Sequence, residues 1–576
     1  MKQQSNRRKA GPSTVSAEAL MIWIGLGLVA AAVLATWAPL HLAEALVGED
    51  QDLPVNPFTL ILELVMGELV WTGAATAMLI GLAGAGVAAS VLVVVLVKVL
   101  RRRRTRVDDS AAYMGQGSDL SALTEAGARA TAQRLGVKDA VGVPIGRTIS
   151  GKRMLYGSWE DMHVDIWGPR TGKTTSRAEP AIMAAPGPVL VTSNKRDIVD
   201  ATRGPRADHG PVRVFDPQGI AGEEPTWVWD PLSYVTDEVK ASQLAGHFAD
   251  ASREASARSD AYFDGEGRNL LANLLLAAAL EQRPITDVYT WLTRPTDDSA
   301  VHILAEHGYT LQADGLSGII EAPDKQRAGV FGTAQQMAHC LTNRRIIPWI
   351  TRSGPEDTRE AFIPEEFVRE GGTLYSLSKE GTGTAGPLVT ALTVAVVEAA
   401  EEYAATLPGG RLLTPMTGVL DEVANVCKWS DLPSLYSHYG SRGIVLMSIL
   451  QSWSQGVEVW GEEGMRKLWS AANIKVYGGG VSETAFLQEL SQLIGDYDRD
   501  SVSASVSGDG RSTSHQLTSQ ATMDVADLGA IPRGRAVVIA SGVPPTLIET
   551  VPWMQGPHAK AIKESIASHE PGKGAA

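Results

Sequence analysis

The residues with the clearest chemistry stand in one short run, Gly168-Pro169-Arg170-Thr171-Gly172-Lys173-Thr174-Thr175. A glycine loop ending in Gly-Lys-Thr at a strand-to-helix turn cradles phosphates with its backbone N–H groups and with the positive end of the following helix. The flanks have that form: Met162–Trp167 alternates apolar and polar residues as a strand does, and Ser176-Arg177-Ala178 begins a helical stretch. In such a loop Lys173 would neutralise a nucleotide's β and γ phosphates, and Thr174 would ligate Mg²⁺. The usual motif has four residues between its first glycine and the Gly-Lys pair, whereas Gly168 precedes Gly172-Lys173 by three. Either Trp167 takes the first position or the loop is one residue shorter. A fortuitous Gly-Lys-Thr turn is the bland alternative.

In-line phosphoryl transfer also asks for acids on a neighbouring strand. Met416-Thr417-Gly418-Val419-Leu420 is an apolar strand that ends in Asp421-Glu422. There Asp421 would hold Mg²⁺ through water and Glu422 would polarise the attacking water, although acids also cap helices. A further strand, Gly443–Leu450, ends at Gln451. That glutamine is placed to bond the γ-phosphate or the lytic water and so report hydrolysis; capping the next helix is its alternative. The runs Pro188–Thr192 and Val212–Phe215 end near Asn194, Lys195 and Asp216. Ligands of parallel sheets gather at the carboxyl ends of the strands, so these residues are expected close to the site, where most loop residues only cap or turn.

The elements that must position these groups follow. Strands ending in polar turns and alternating with helices predict a parallel α/β sheet. A nucleotide-binding domain is expected in two parts, 151–235 and 344–556, after a linker over 107–150 and before a tail over 557–576. Between them, 236–343 reads as an all-α insertion carried by the run Asn269–Leu280. Ile474–Gly480 closes the core, Arg535–Ala540 is expected as a late edge strand, and the Ser/Gly/Thr-rich stretch Ser501–Thr522 as a mobile loop or hairpin.

Residues 1–106 read as a membrane anchor. The stretches 20–40 and 71–97 contain no charged side chain, and each is long enough to cross a hydrocarbon core of about 30 Å as a helix. Lys2, Arg7, Arg8 and Lys9 precede the first, and Lys98 and Arg101 to Arg104 follow the second; the loop between carries acids and no Lys or Arg. The positive-inside rule then puts both termini in the cytoplasm of a multi-pass protein of the inner membrane. A cleaved signal peptide is the alternative for the first span. The 576 residues carry 51 basic and 65 acidic side chains, a net charge of −14, which argues against a surface that coats nucleic acid indiscriminately but leaves room for a basic central channel. Cys340 and Cys427 are too few for a disulfide framework and read as buried thiols.

Taken in order, Asp421-Glu422-Val423-Ala424-Asn425, Asp431-Leu432-Pro433, Ser441-Arg442-Gly443, Leu450-Gln451-Ser452, Gln455 and Gly479-Gly480 resemble the TraG/TraD coupling proteins of conjugative type IV secretion. The likeness covers roughly 154–553, including Trp229-Asp230-Pro231-Leu232. Val423 replaces the family's usual phenylalanine, and Asn194 stands where it usually has aspartate before its lysine. The resemblance implies a RecA-like P-loop NTPase with an inserted all-α domain and a two-helix transmembrane anchor, a membrane-bound ATPase that couples DNA with its attached relaxase to a secretion channel. It implies a homo-oligomer, a ring of six with sites between subunits, using ATP and Mg²⁺. Gly168 to Thr175 would bind the nucleotide, Lys173, Asp421 and Glu422 would form the catalytic centre with Thr174 and Asp421 on the metal, Gln451 would be the sensor, and Arg442 a candidate finger reaching a neighbour's phosphate. Its alternative is an ion pair that orients its own turn. Two other readings remain: a septal double-stranded DNA pump of the FtsK kind, and a tethered cargo adaptor that binds nucleotide without turnover, which the short loop favours.

Overall fold

The computed structural model describes residues 17–48, 51–101, 105–252, 261–381, 384–507 and 510–570, in two bodies. One takes in the described residues up to Asp109 with 498–507 and 510–520; the other takes in the described residues of 110–497 and 521–570.

In the first body two long apolar helices, Ala17–Val47 and Gly73–Arg101, flank a short helix, Pro57–Met66. Both long helices are long and apolar enough to cross a membrane, within Ala30–Val47 and Gly73–Leu92. Leu40 and Ala43 of the first, Leu60 of the short helix and Ala75 of the last form a small buried cluster with Trp37 and Trp71 against it. The basic residues Lys2 to Lys9 and Arg102 to Arg104 lie outside the described residues. Asp496–Ser507 and Gly510–Ala521 pair as a two-stranded sheet where the sequence allowed a loop or a hairpin.

The second body is built on an eleven-stranded sheet. Its strands in chain order are β1 (Val143–Thr148), β2 (Met154–Gly157), β3 (His163–Ile166), β4 (Val189–Ser193), β5 (Val212–Phe215), β6 (Thr373–Leu377), β7 (Met416–Leu420), β8 (Ile444–Leu450), β9 (Ile474–Tyr477), β10 (Arg535–Ala540) and β11 (Val543–Glu549). Across the sheet they run β2-β1-β11-β10-β9-β3-β8-β7-β4-β6-β5. From β9 to β5 every pairing is parallel; β10, β11, β1 and β2 add an antiparallel flank.

Two expectations change here. Arg535–Ala540 is an interior strand, paired with β9 on one side and β11 on the other. Its outer partner hides in the sequence because β11 contains Pro544 and Pro545, which lack the N–H a ladder needs; β1 meets β11 only at Ile548 and Glu549. The expected linker 107–150 likewise supplies β1 and the helix Glu125–Arg134 to this body. Between β5 and β6 a run of helices from Glu238–Ser252 through Ala261–Leu280 to Asp324–Met337 packs around the buried Leu270, Leu271, Leu274 and Leu275. At its base the rings of Phe215 and Trp227 meet Trp349 edge-on, 5.6 and 5.8 Å between centroids. Cys340 and Cys427 are free and buried, their thiols pushed up to about 12 by burial.

Parallel neighbours on both sides bury the whole of β3, including His163 and Asp165. A buried carboxylate must be paired and hydrogen-bonded. Arg177 provides this, its Nε donating to Asp165 Oδ2 at 2.7 Å and its Nη2 to Oδ1 at 3.1 Å. Nη2 also lies 3.2 Å from His163 Nδ1, and Nη1 donates to the Pro144 carbonyl at 2.5 Å. Burial and the Arg177 charge hold His163 well below its ordinary pKa, so the neutral ring accepts. Trp167 Nε1 adds a third donor to Asp165, at 3.2 Å. Exchanging Arg177 for Met leaves Asp165 buried without its counter-charge and is expected to cost about 3–5 kcal/mol of stability, read as a lowered thermal midpoint. Adding Asp165→Leu should restore most of the loss; a double variant no more stable than Arg177→Met would show that the pair is not its source.

Candidate functional site

The loop after β3 leaves the sheet later than the first glycine. Trp167 N donates to the Leu450 carbonyl at 2.9 Å, continuing the ladder, and its indole is fully buried against Gly478. Trp167 is therefore sheet, and the loop proper begins at Gly168, one residue short. Gly168 N donates to Gly479 O at 2.9 Å, and a Cβ on Gly168 would fall 2.0 Å from the Gly480 carbonyl oxygen, so only glycine fits that crossing. Arg170 and Gly172 take positive φ, 61° and 95°, as a tight loop of this kind requires. Thr171 Oγ1 closes the loop on the Gly168 carbonyl at 2.5 Å.

The helix then starts with a π turn over Thr174–Ala178, in which the Glu179 N–H reaches back five residues to the Thr174 carbonyl. Such turns hold one residue more than an α turn and occur mostly at functional sites. The residue missing from the loop thus reappears in the first turn.

The loop opens at the carboxyl ends of β3, β8, β7 and β4, which are neighbours in that order. Lys173, buried, turns its ammonium to the acids beyond β7: Nζ is 3.1 Å from Asp421 Oδ1 and is also paired with Glu422 Oε1. Glu422 has φ 54° and ψ 40°, a left-handed backbone that costs a non-glycine residue of order 1 kcal/mol. Gln451, at the end of β8, donates Nε2 to both Glu422 oxygens at 2.8 and 2.7 Å. Ser193 Oγ lies 3.5 Å from Asp421 Oδ2. Burial pushes the Asp421 carboxyl up, Lys173 opposes that, and Glu422 adds to it. Lys173, Asp421, Glu422 and Gln451, read from three separate stretches of sequence, thus share one cluster.

Other predicted residues are placed differently. Asn194 Nδ2 donates to Glu380 Oε1 at 2.7 Å, and Asn425 Nδ2 donates to the same oxygen at 2.8 Å. Lys195 is exposed on the same turn, its charge acting on Asp421. Asp216 accepts from the N–H groups of Ile220, Ala221 and Glu223 and only caps its turn. Arg442 stands at the amino end of β8, the end opposite Gln451, and donates to the Gly410 carbonyl at 3.2 Å; within one chain it does not reach the cluster.

Two further residues meet the site without a sequence signal. Arg533, in the turn before β10, brings Nε to 3.8 Å from where a Cβ of Gly172 would lie. Glu179, on the helix after the loop, is buried, and its Oε2 has no hydrogen-bond partner among the described residues.

Residues 415–533 match a family model described as the TraM recognition site of TraD and TraG, a segment that contains Asp421, Glu422, Arg442, Gln451 and Arg533. Comparison with curated proteins by sequence gives no match. Among solved structures, the unbound monoclinic form of the bacterial conjugative coupling protein TrwBdeltaN70 has a TM-score of 0.53 at 17% identity, over 73% of this chain and 91% of that one. The plasmid coupling protein TrwB in complex with ADP and Mg²⁺ has 0.52 at 16%, over 73% and 92%. Its complex with the non-hydrolysable GTP analogue GDPNP has 0.52 at 15%, over the same 73% and 92%. The α/β, RecA-like fold with two apolar N-terminal helices is thus the one observed.

Burial, and then the charges of Asp197 and Asp421, push the Glu179 carboxyl up from 4.5 to about 8. The folded chain holds a proton there that the unfolded chain releases, so this group's contribution to stability falls as pH rises through that window. Glu179→Gln, neutral at every pH, should match the wild type near pH 5 and melt a few degrees higher near pH 8, a difference of about 1–3 kcal/mol. Parallel melting curves for the two proteins across that range would refute the assignment.

Proposed function

We propose that this chain, which is TraG/TraD-like in its 415–533 segment and in its fold, is a membrane-anchored ATPase that couples DNA with its attached relaxase to a type IV secretion channel in conjugative transfer. The observation that carries the reading is the convergence of Lys173, Asp421, Glu422 and Gln451 where the loop Gly168–Thr175 opens at the carboxyl ends of adjacent parallel strands. TrwB, of the same fold, is described in complex with ADP and Mg²⁺; two helices of membrane-crossing length support an anchor, and the basic residues outside both spans, with none between, support a cytoplasmic membrane with both termini inside.

In this reading the loop's N–H groups hold the phosphates and Lys173 moves from the acids to the β and γ oxygens of ATP. Glu422 orients the attacking water and takes its proton, and Gln451, bonded to both its oxygens, fixes where that carboxylate points. The donor set suits Mg²⁺: Asp421 Oδ1 is buried and faces the Lys173 ammonium at 3.1 Å, and once that ammonium turns to the phosphates it offers, with the Thr174 hydroxyl, the hard oxygens such a cation takes. Bound with the nucleotide, the ion supplies neutralisation of the phosphate charge. A homo-hexameric ring completes the proposal, because Arg442 sits too far along β8 to serve its own site and would act as a finger on a neighbour's nucleotide.

The test is steady-state ATP hydrolysis by the solubilised full-length protein with and without single-stranded DNA. Lys173→Ala should lower turnover by about 100-fold or more, and Glu422→Gln should keep ATP binding while losing hydrolysis to a similar degree. DNA-independent turnover insensitive to both substitutions would remove the motor.

A further inference from the structure

The turn Ile531-Pro532-Arg533-Gly534 packs on Gly479 beside the loop Gly168–Thr175, and the packing that puts it there is specific. Gly479 takes the Gly168 N–H on its carbonyl, while on its other face a Cβ would come within 3.0 Å of the Ile531 carbonyl oxygen. The glycine therefore lies between loop and turn with no side chain separating them, at a positive φ of 78°. Arg533 is thereby delivered to the loop. A Cβ on Gly172 would lie 3.8 Å from Arg533 Nε, 3.7 Å from Thr175 Oγ1 and 3.8 Å from Ser176 Oγ, so a guanidinium and two hydroxyls converge on one side of the glycine that precedes Lys173.

Lys173 faces the other way, toward Asp421 and Glu422. Beside Lys173, bound to acids, stand two exposed guanidinium groups, Arg170 within the loop and Arg533 brought to it from the turn, with no carboxylate paired to either among the described residues. In a chain of net charge −14, a guanidinium unpaired beside a phosphate cradle is set out for an anion. Its planar fork matches two phosphate oxygens at once, which an ammonium does not.

We propose that Arg533 is a nucleotide-binding residue that acts within its own subunit, contacting the phosphates on the Thr175 and Ser176 side of the loop. The inference rests on the P-loop reading above and adds to it a cation from outside the loop. Because a phosphate loop cradles the α and β phosphates that both nucleotides carry, Arg533 beside it strengthens ground-state binding of ATP and ADP alike. A finger acting only on charge that develops during transfer would instead act on turnover.

Equilibrium binding of ATP and of ADP with Mg²⁺ to the solubilised full-length protein tests this, with Lys173→Ala alongside and hydrolysis measured on the same samples. Arg533→Ala should raise Kd for both nucleotides by about 10- to 100-fold, with kcat at saturating ATP changed little and the nucleotide-free thermal midpoint unchanged, since the side chain is exposed. Arg533→Lys should recover part of the affinity. Wild-type affinity in Arg533→Ala, with binding lost in Lys173→Ala, would overturn the role of Arg533 and leave the P-loop standing. A fall in kcat with Kd unchanged would overturn it in favour of a transition-state role. A wild-type protein that binds neither nucleotide would overturn both.

Discussion

Asp165 sits in the middle of a parallel sheet with no exposed surface and accepts from Arg177 with both oxygens and from the Trp167 indole with one. Those two donors bracket the phosphate loop, one immediately before Gly168 and the other two residues after Thr175. The loop is therefore pinned at entry and exit to a single carboxylate beneath it. Apolar packing would hold the helix against the sheet as firmly, because a buried ion pair often stabilises no more than the hydrophobic residues that could replace it. Burial is non-directional, however, and hydrogen bonds are not. Bonds from two sides fix where the loop's N–H groups point, and the positions of Lys173 and Thr174 follow from that.

The opposite demand governs the acids. Lys173 faces two buried carboxylates, and Gln451 steadies one of them without adding charge. Two carboxylates thus face the one ammonium of Lys173 before any phosphate arrives, and Glu179, buried and within reach of Asp197 and Asp421, keeps its proton. A nucleotide brought to this place sets further negative charge beside carboxylates, which is tolerable only with a cation between them. In the proposed reading a divalent ion would supply that cation, where Thr174 and Asp421 could share it.

Much of this was legible in the sequence because it lies in contiguous residues at strand ends. Gly172-Lys173-Thr174, Asp421-Glu422 and Gln451 each follow an apolar run, and a parallel sheet brings such ends together whatever the chain does between them. What stayed hidden depends on pairing across the sheet. Asp165 looked like the polar half of an alternating strand, and only neighbours on both sides make it a buried hub. Arg177 looked like an ordinary helix-start residue. β11 was masked by its prolines, so β10 passed for an edge. Arg533 is far in sequence from the loop it touches, and its placement rests on the glycines at 479 and 480, whose role is to leave room.

The length of the phosphate loop shows how a motif and its geometry separate. Counted along the chain, Gly168 to Gly172 is one residue short, and a short loop favours a protein that binds nucleotide poorly and serves as a tether. Counted through the fold, the deficit ends at Glu179, because the π turn over Thr174–Ala178 takes up one residue more than an α turn. Arg177 lies within that turn and falls over Asp165. Lys173, at the junction, still reaches the acids after β7. A deletion that left the helix rotated by one residue, about 100° at 3.6 residues per turn, would carry Arg177 away from the sheet and strand Asp165. The pairing of those two side chains shows that the start of the helix is seated on the sheet with the shorter loop in place.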